Sequence, residues 1–143
     1  MNKIIKKTNN ILITGGAGYI GSHCTKILLE RGEKVSVIDN LSTGYKQAVD
    51  SRANFHNIDI KDKEAVKKVL LTDKIDGVIH FAAFSLVGES MVNPLKYYDN
   101  NVYGTKVLLY AMIEADVKNI IFSSSAAVYG EHEKMPITEA FNE

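Results

Sequence analysis

The chain has one cysteine, Cys24, among its 143 residues, so it cannot close an intramolecular disulfide and gives no support to an oxidising compartment. It has no excess of either charge: 17 Lys and Arg stand against 17 Asp and Glu, without the basic surplus that a nucleic-acid partner requires. No apolar run approaches the roughly 18 to 20 residues needed to cross a bilayer. Residues 1–9 carry Lys3, Lys6 and Lys7 around a single apolar pair, Ile4 and Ile5, well short of a signal-peptide core of about 7 to 15 residues. They are expected to form a short mobile extension ahead of one domain over 10–143, in a reduced, cytoplasmic setting. The histidines (His23, His56, His80, His132) form no His-x-x-x-His pair and have no cysteine partners, so no metal is expected. Repeats and low-complexity tracts are also missing.

What is present alternates. Residues 10–14 are a short β-branched run followed at once by glycines. Ile20, Cys24, Ile27 and Leu28 then recur at helical spacing until Gly32. Residues 35–38 predict a second strand and 55–58 a third. A helix is expected over 62–71, with Ala65, Val66, Val69 and Leu70 on its apolar face. A fourth strand over 76–82 leads into a loop containing Gly88. Asn93-Pro94 then opens a single long helix over about 95–115, and residues 119–123 form a fifth strand before an acidic tail with Glu131, Glu133, Glu139 and Glu143. Alternation of this kind implies right-handed crossovers and an α/β, Rossmann-type, doubly wound parallel sheet covered on both faces. The expected strand order is 3-2-1-4-5.

The chemistry-bearing pattern is Gly15-Gly-Ala-Gly18-Tyr-Ile-Gly21, a Gly-x-x-Gly-x-x-Gly between strand and helix. Absent side chains let backbone turn tightly and approach a pyrophosphate, which the helix N-terminus attracts. Asp39 closes the second strand 18 residues beyond Gly21, close to the spacing of an acidic residue that grips the adenosine ribose. The alternative is a glycine turn that only packs helix on strand; a P-loop is excluded because its lysine is missing. A carboxylate at Asp39, with no arginine following, favours NAD over NADP, and Asn40, Ser42 and Thr43 can add hydrogen bonds to the ribose. Asp59 and Ile60 end the third strand either beside an adenine or as a polar cap for the next helix. Phe81 to Ser85 offers small residues for close passage of a dinucleotide. Ser123, Ser124 and Ser125 end the fifth strand, as a way out of the sheet or as a site, and His80 reads as a satisfied core histidine.

Several stretches resemble one family. They are Thr14-Gly-Gly-Ala-Gly-Tyr-Ile-Gly-Ser-His23, Asp39-Asn-Leu41, His80-Phe-Ala-Ala83, Val87-Gly-Glu-Ser90, Pro94-Leu-Lys-Tyr-Tyr-Asp-Asn-Asn-Val102, Ile121-Phe-Ser-Ser-Ser-Ala126 and Val128-Tyr-Gly130. They are similar to the N-terminal part of extended short-chain dehydrogenase/reductases of the NAD-dependent epimerase/dehydratase type, and within these to the UDP-sugar 4-epimerases. The resemblance implies bound NAD and a hydride cycle at sugar C4 that interconverts UDP-galactose and UDP-glucose in galactose metabolism, with a family-type homodimer as partner arrangement. It implies Ser125 at the reacting sugar oxygen, as catalytic and substrate-binding residue. Gly15, Gly18, Tyr19, Ile20 and Gly21 fall at the pyrophosphate, and Asp39, Asn40, Leu41, Ser42, Thr43 and Gly44 at the adenosine ribose. Asp59 and Ile60 fall at adenine, and Phe81, Ala82, Ala83, Phe84, Ser85 and Asn100 along the rest of the dinucleotide. Some family members carry lysine where this chain has Ser85.

None of the seven tyrosines is followed four residues later by lysine, so the family's Tyr-x-x-x-Lys base is absent. The resemblance places that motif, and a sugar-nucleotide domain, beyond Glu143. The sequence therefore looks like a truncated epimerase, with a sheet incomplete on its C-terminal side and an exposed apolar surface beside strand five. Ala126 and Ala127 stand where related dehydratases and decarboxylating relatives carry acidic groups, and a methyl group exchanges no protons. Two other readings stay open: an epimerase of a related UDP-sugar, and a non-catalytic NAD-binding module.

Overall fold

The computed structural model describes residues 10–130 and 136–138. The expected N-terminal extension, His132 and the acidic tail residues lie outside them. Five strands form one parallel sheet: β1 (Asn10–Thr14), β2 (Lys34–Asp39), β3 (Asn54–Asn57), β4 (Gly77–His80) and β5 (Asn119–Phe122). Their order is β3-β2-β1-β4-β5, as expected. Register puts Thr14 beside Ile38 on one side and beside His80 on the other, so β1, β2 and β4 end together along one carboxyl edge.

The helices are α1 (Tyr19–Glu30), α2 (Lys63–Thr72), α3 (Val87–Val92), α4 (Pro94–Tyr97) and α5 (Thr105–Glu114). Leu12, Ile38 and Val78 pack with Val66, Val69 and Leu70 of α2 and Leu108, Ala111 and Met112 of α5. On the opposite face Ile13, Val35 and Val37 pack with Cys24, Leu28 and Leu29 of α1. Alternation along β1 thus sends Leu12 and Ile13 to separate cores, each fully buried. α2 starts at Asp62, whose carboxylate accepts from Ala65 N–H at 3.0 Å, an N-cap that satisfies one orphan donor.

Three expectations need correction. The loop around Gly88 contains α3, held by residues further along: the Glu89 carboxylate accepts from Lys96 Nζ at 2.5 Å and from Tyr97 Oη at 2.7 Å. The single long helix is instead α4, a π-helical turn over Tyr98–Gly104, and α5. Within that turn Gly104 lies so close to Ile60 that a Cβ would stand 2.7 Å from Ile60 Cδ1. At its end the Thr105 hydroxyl donates to the Asn101 carbonyl at 2.6 Å, a side-chain bond that competes with regular helix pairing. The sheet is covered on both faces only as far as β4; on β5, Ile121 is 64% and Phe122 57% exposed, the apolar surface anticipated beside that strand.

Two partly or fully buried titratable groups govern acid behaviour. Burial pushes His80 down to about 4. The unfolded chain then takes up a proton near its ordinary pKa of 6.5 that the folded chain refuses. Stability from this group is complete above pH 6.5 and is lost as pH falls to about 4, by at most about 3 kcal/mol. Asp73, at the C-terminus of α2, accepts through Oδ2 from Ser36 Oγ at 2.6 Å, Asn54 Nδ2 at 2.8 Å and His56 Nε2 at 2.8 Å. Burial raises this carboxyl, but the Ser36 and His56 donors outweigh it and hold it below its ordinary 3.8, so its contribution disappears only below that pH. Urea midpoints should therefore decline steadily between pH 6.5 and 4 with unchanged slope. At neutral pH, Asp73→Ala should lower unfolding free energy by about 1 to 3 kcal/mol, because donors from β2 and β3 lose their shared acceptor. A midpoint within error of the unmodified chain would refute the second expectation.

Candidate functional site

The chain leaves β1 through Gly15, whose φ of +74° is a left-handed conformation that costs glycine nothing. A Cβ there would stand 2.7 Å from the Ala82 nitrogen, so the turn is pressed against the end of β4. Its N–H donates to the Ile38 carbonyl at 2.8 Å, which ties it to β2 as well. Gly16 and Gly21 are closed in by Val37 and by the Gly15 carbonyl, at 2.5 and 2.3 Å from a virtual Cβ, so both serve internal packing. Gly18 is different, since only the Gly15 carbonyl comes near, at 3.3 Å.

Gly18 also begins α1, and here the helices diverge. α2 is capped by Asp62 and carries Glu64 in its first turn, whereas α1 has neither a side-chain cap nor an acidic residue there. Its first turn therefore supplies no acceptor of its own for its leading N–H groups, which suits an external anion.

A cleft opens along the carboxyl edge, lined by Gly15, Gly18, Ile38, Asp39, Asn40, Ser42, Thr43, Ile58, Ile60, Phe81, Ala82, Ala83 and Asn100. Of the residues expected at a cofactor, the fold brings together Gly15, Gly18, Asp39, Asn40, Ser42, Thr43, Ile60, Phe81, Ala82, Ala83 and Asn100. Ile38 and Ile58 were not anticipated; both look like ordinary strand residues, and only the strand ends they occupy place them here. Tyr19 and Ile20 are exposed on the first turn of α1 and do not line the cleft. Leu41, Gly44, Asp59, Phe84 and Ser85 also stand outside its lining.

Asp39 has a second duty that spacing did not reveal. Its Oδ2 accepts from Ala17 N–H at 3.0 Å and its Oδ1 from Leu41 N–H at 2.8 Å, so the carboxylate locks both the glycine turn and the loop after β2. Each carboxylate oxygen has a further lone pair for a ligand hydroxyl. Leu41 is held at φ +57° by this arrangement, and Tyr45 N–H donates to the Ala17 carbonyl, bringing Gly44 against Ala17 backbone. Asp59 neither lines the cleft nor caps α2: it accepts from Asn40 Nδ2 at 3.0 Å and from Lys61 N–H at 2.8 Å, and so positions Asn40.

Ser125 follows β5 on the same edge and caps the short turn Ala126–Tyr129, its Oγ accepting from Ala127 N–H at 3.1 Å. It is exposed and outside the cleft lining. Phe84 is clamped by a residue that sequence reading passed over, Asn101, whose Oδ1 accepts from Phe84 N–H and whose Nδ2 donates to the Phe84 carbonyl, both at 2.9 Å. Among the described residues, no three His, Cys, Asp or Glu side chains gather as metal ligands, and no helix is long and apolar enough to cross a membrane.

The pattern can be set beside known proteins. The model of the NAD dependent epimerase/dehydratase family matches residues 11–143. A UDP-glucose 4-epimerase of Lactobacillus helveticus is 56% identical over 129 residues, 90% of this chain and 39% of that protein. The UDP-glucose 4-epimerase of Bacillus subtilis is 49% identical over 138 residues, 92% of this chain and 41% of its own length. Among solved structures, the UDP-glucose 4-epimerase from Brucella ovis in complex with NAD superposes with a TM-score of 0.84 at 46% identity, covering 94% of this chain and 42% of that one. The chain thus spans about two-fifths of the length of these relatives. Matched by that family's model over nearly all its own length, the chain belongs to the NAD-dependent epimerase/dehydratase family.

Proposed function

We propose that this chain is the NAD-binding part of a UDP-glucose 4-epimerase, in a cytoplasmic setting and with the homodimeric arrangement that the family resemblance implies. The observation that carries the cofactor reading is the convergence in one cleft of Gly18, at an α-helix N-terminus with no side-chain cap and no acidic residue in its first turn, and Asp39, at the adjacent strand end. A dinucleotide needs both, an anion cradle and an acceptor for ribose hydroxyls. When bound, NAD supplies the hydride acceptor and donor for chemistry at a sugar carbon.

The protein's own residues would divide the work. The α1 N-terminus and Gly18 hold the pyrophosphate; Asp39, fixed by two backbone N–H groups, accepts from the ribose while Asn40, Ser42 and Thr43 add hydrogen bonds around it. Ile38, Ile58 and Ile60 offer the apolar surface on which an adenine ring rests. Ser125, with Oγ already accepting from Ala127 N–H, keeps its single proton to donate to a sugar oxygen. A serine hydroxyl does not remove that oxygen's proton at neutral pH, and no tyrosine of this chain has the lysine that would make it a base. A related UDP-sugar as substrate remains a second reading, supported by the likeness to a UDP-Glc/GlcNAc 4-epimerase from Campylobacter jejuni at 41% identity and TM-score 0.82.

Calorimetric titration should show NAD binding more tightly than NADP. Asp39→Asn should weaken NAD by about 1 to 3 kcal/mol and narrow that preference, because a ribose acceptor and the charge opposing a 2′-phosphate are both removed. The amide keeps one of the two backbone acceptors whereas alanine strips both from Ala17 and Leu41, and thermal unfolding recorded alongside separates binding from folding. Equal affinities for NAD and NADP in the unmodified chain would count against the role of Asp39. Separately, the 143-residue chain incubated with NAD and UDP-galactose should form no UDP-glucose detectable by a coupled dehydrogenase. Turnover that co-purifies with the chain and survives Ser125→Ala would overturn the assignment of its chemistry.

A further inference from the structure

His80 is 3% exposed, ends β4 and stands in register with Thr14 of β1. Both ring nitrogens are engaged: Thr14 Oγ1 is 2.6 Å from Nδ1 and Thr105 Oγ1 is 3.0 Å from Nε2. A threonine hydroxyl has one proton, and Thr105 donates its own to the Asn101 carbonyl at 2.6 Å. Towards His80 it can only accept, which requires the proton on Nε2. The buried ring is neutral near pH 7, so Nδ1 is left with a lone pair and accepts from the Thr14 hydroxyl. Every bond direction in the chain Thr14, His80, Thr105, Asn101 follows from that one proton.

This chain ends on groups that shape the cleft. Asn101 clamps both backbone groups of Phe84, and its Oδ1 also accepts from Asn100 Nδ2 at 2.9 Å. Asn100 is 9% exposed and lines the cleft together with Phe81, Ala82 and Ala83. Both asparagines lie in the π-helical turn, an irregularity that recurs at functional sites because it re-aims side chains from a helix. In strand order β2-β1-β4 the loop after β4 stands across β1 from Asp39, while the π-helical turn also reaches Ile60 through Gly104.

We propose that His80 is a positioning residue for cofactor binding: as the neutral Nε2–H tautomer it ties the glycine-turn end of β1 to the π-helical turn, and so sets Asn100, Asn101 and the Phe84 backbone. It touches no cofactor. It acts on the cofactor through the Phe84 loop after β4, which stands across β1 from Asp39, and this deepens the cofactor reading above and rests on it.

Long-range 1H–15N NMR on the labelled chain at neutral pH should show His80 protonated on Nε2 and unprotonated on Nδ1. Thr105→Val keeps the side-chain shape but removes both the acceptor for His80 and the donor to Asn101, while Thr105→Ser restores the hydroxyl. NAD and ADP are titrated into each variant, with thermal unfolding recorded alongside. Thr105→Val should lose at least about fivefold in NAD affinity, a hydrogen bond's worth, while ADP stays within about twofold, and Thr105→Ser should recover NAD binding. A merely structural role would lower both affinities together with the melting temperature, and that result would overturn the proposal. So would an Nδ1–H tautomer or an imidazolium in the unmodified chain, an observation that needs no variant to fold. If the unmodified chain binds neither NAD nor ADP, the cofactor reading itself fails, whereas selective survival of ADP and NAD binding in Thr105→Val refutes only the positioning role.

Discussion

The approach of Gly15 to the end of β4 is the constraint on which the rest of the site depends. Its N–H reaches β2 through the Ile38 carbonyl, while its Cα faces the Ala82 backbone with no room for a methyl group. One residue therefore draws three strand ends together at the point where the winding of the sheet reverses. An alanine there would meet backbone on one side and carry a positive φ on the other, two costs that no side-chain movement relieves. With the turn held, the N-terminus of α1 opens on the carboxyl edge and Gly18 becomes part of a cleft.

Asp39 completes that geometry from β2. Its carboxylate binds Ala17 and Leu41 backbone N–H groups, so the acceptor offered to a ligand is already immobilised before anything binds. Preorganisation of this kind lowers the ordering cost of association. The division between α1 and α2 follows the same logic. α2 spends its own Asp62 on its N-terminus, whereas α1 leaves that position to glycine.

The opposite wall is built from more distant parts. Loop 81–86, the π-helical turn and the end of β1 are joined by Asn101, Thr105 and His80, and none of these contacts is between sequence neighbours except within the turn itself. The two faces of the sheet show how unevenly burial is shared. Leu12 and Val78 are sealed under α2 and α5, yet Ile121 and Phe122 of β5 remain open, because no described helix lies over them.

The order of strands and helices was legible because period-two and period-3.6 apolar patterns are local, and the glycine turn with Asp39 was legible because its backbone demands are written in residue types that have few other uses. The sequence by itself thus determined the parallel sheet, its switch point and the carboxylate of Asp39 at the end of β2. Tertiary structure alone decided that residues 95–115 would not be one helix, since the π-helical turn answers to Ile60 packed on Gly104 and to a threonine hydroxyl bonded back to Asn101. It alone made α3, through Lys96 and Tyr97 on Glu89, and it alone enlisted Ile38, Ile58, Asn101 and His80 around the cleft. Those roles depend on which strand ends lie side by side, and a hydrogen bond between residues 66 positions apart, such as Thr14 to His80, leaves no periodic trace along the chain.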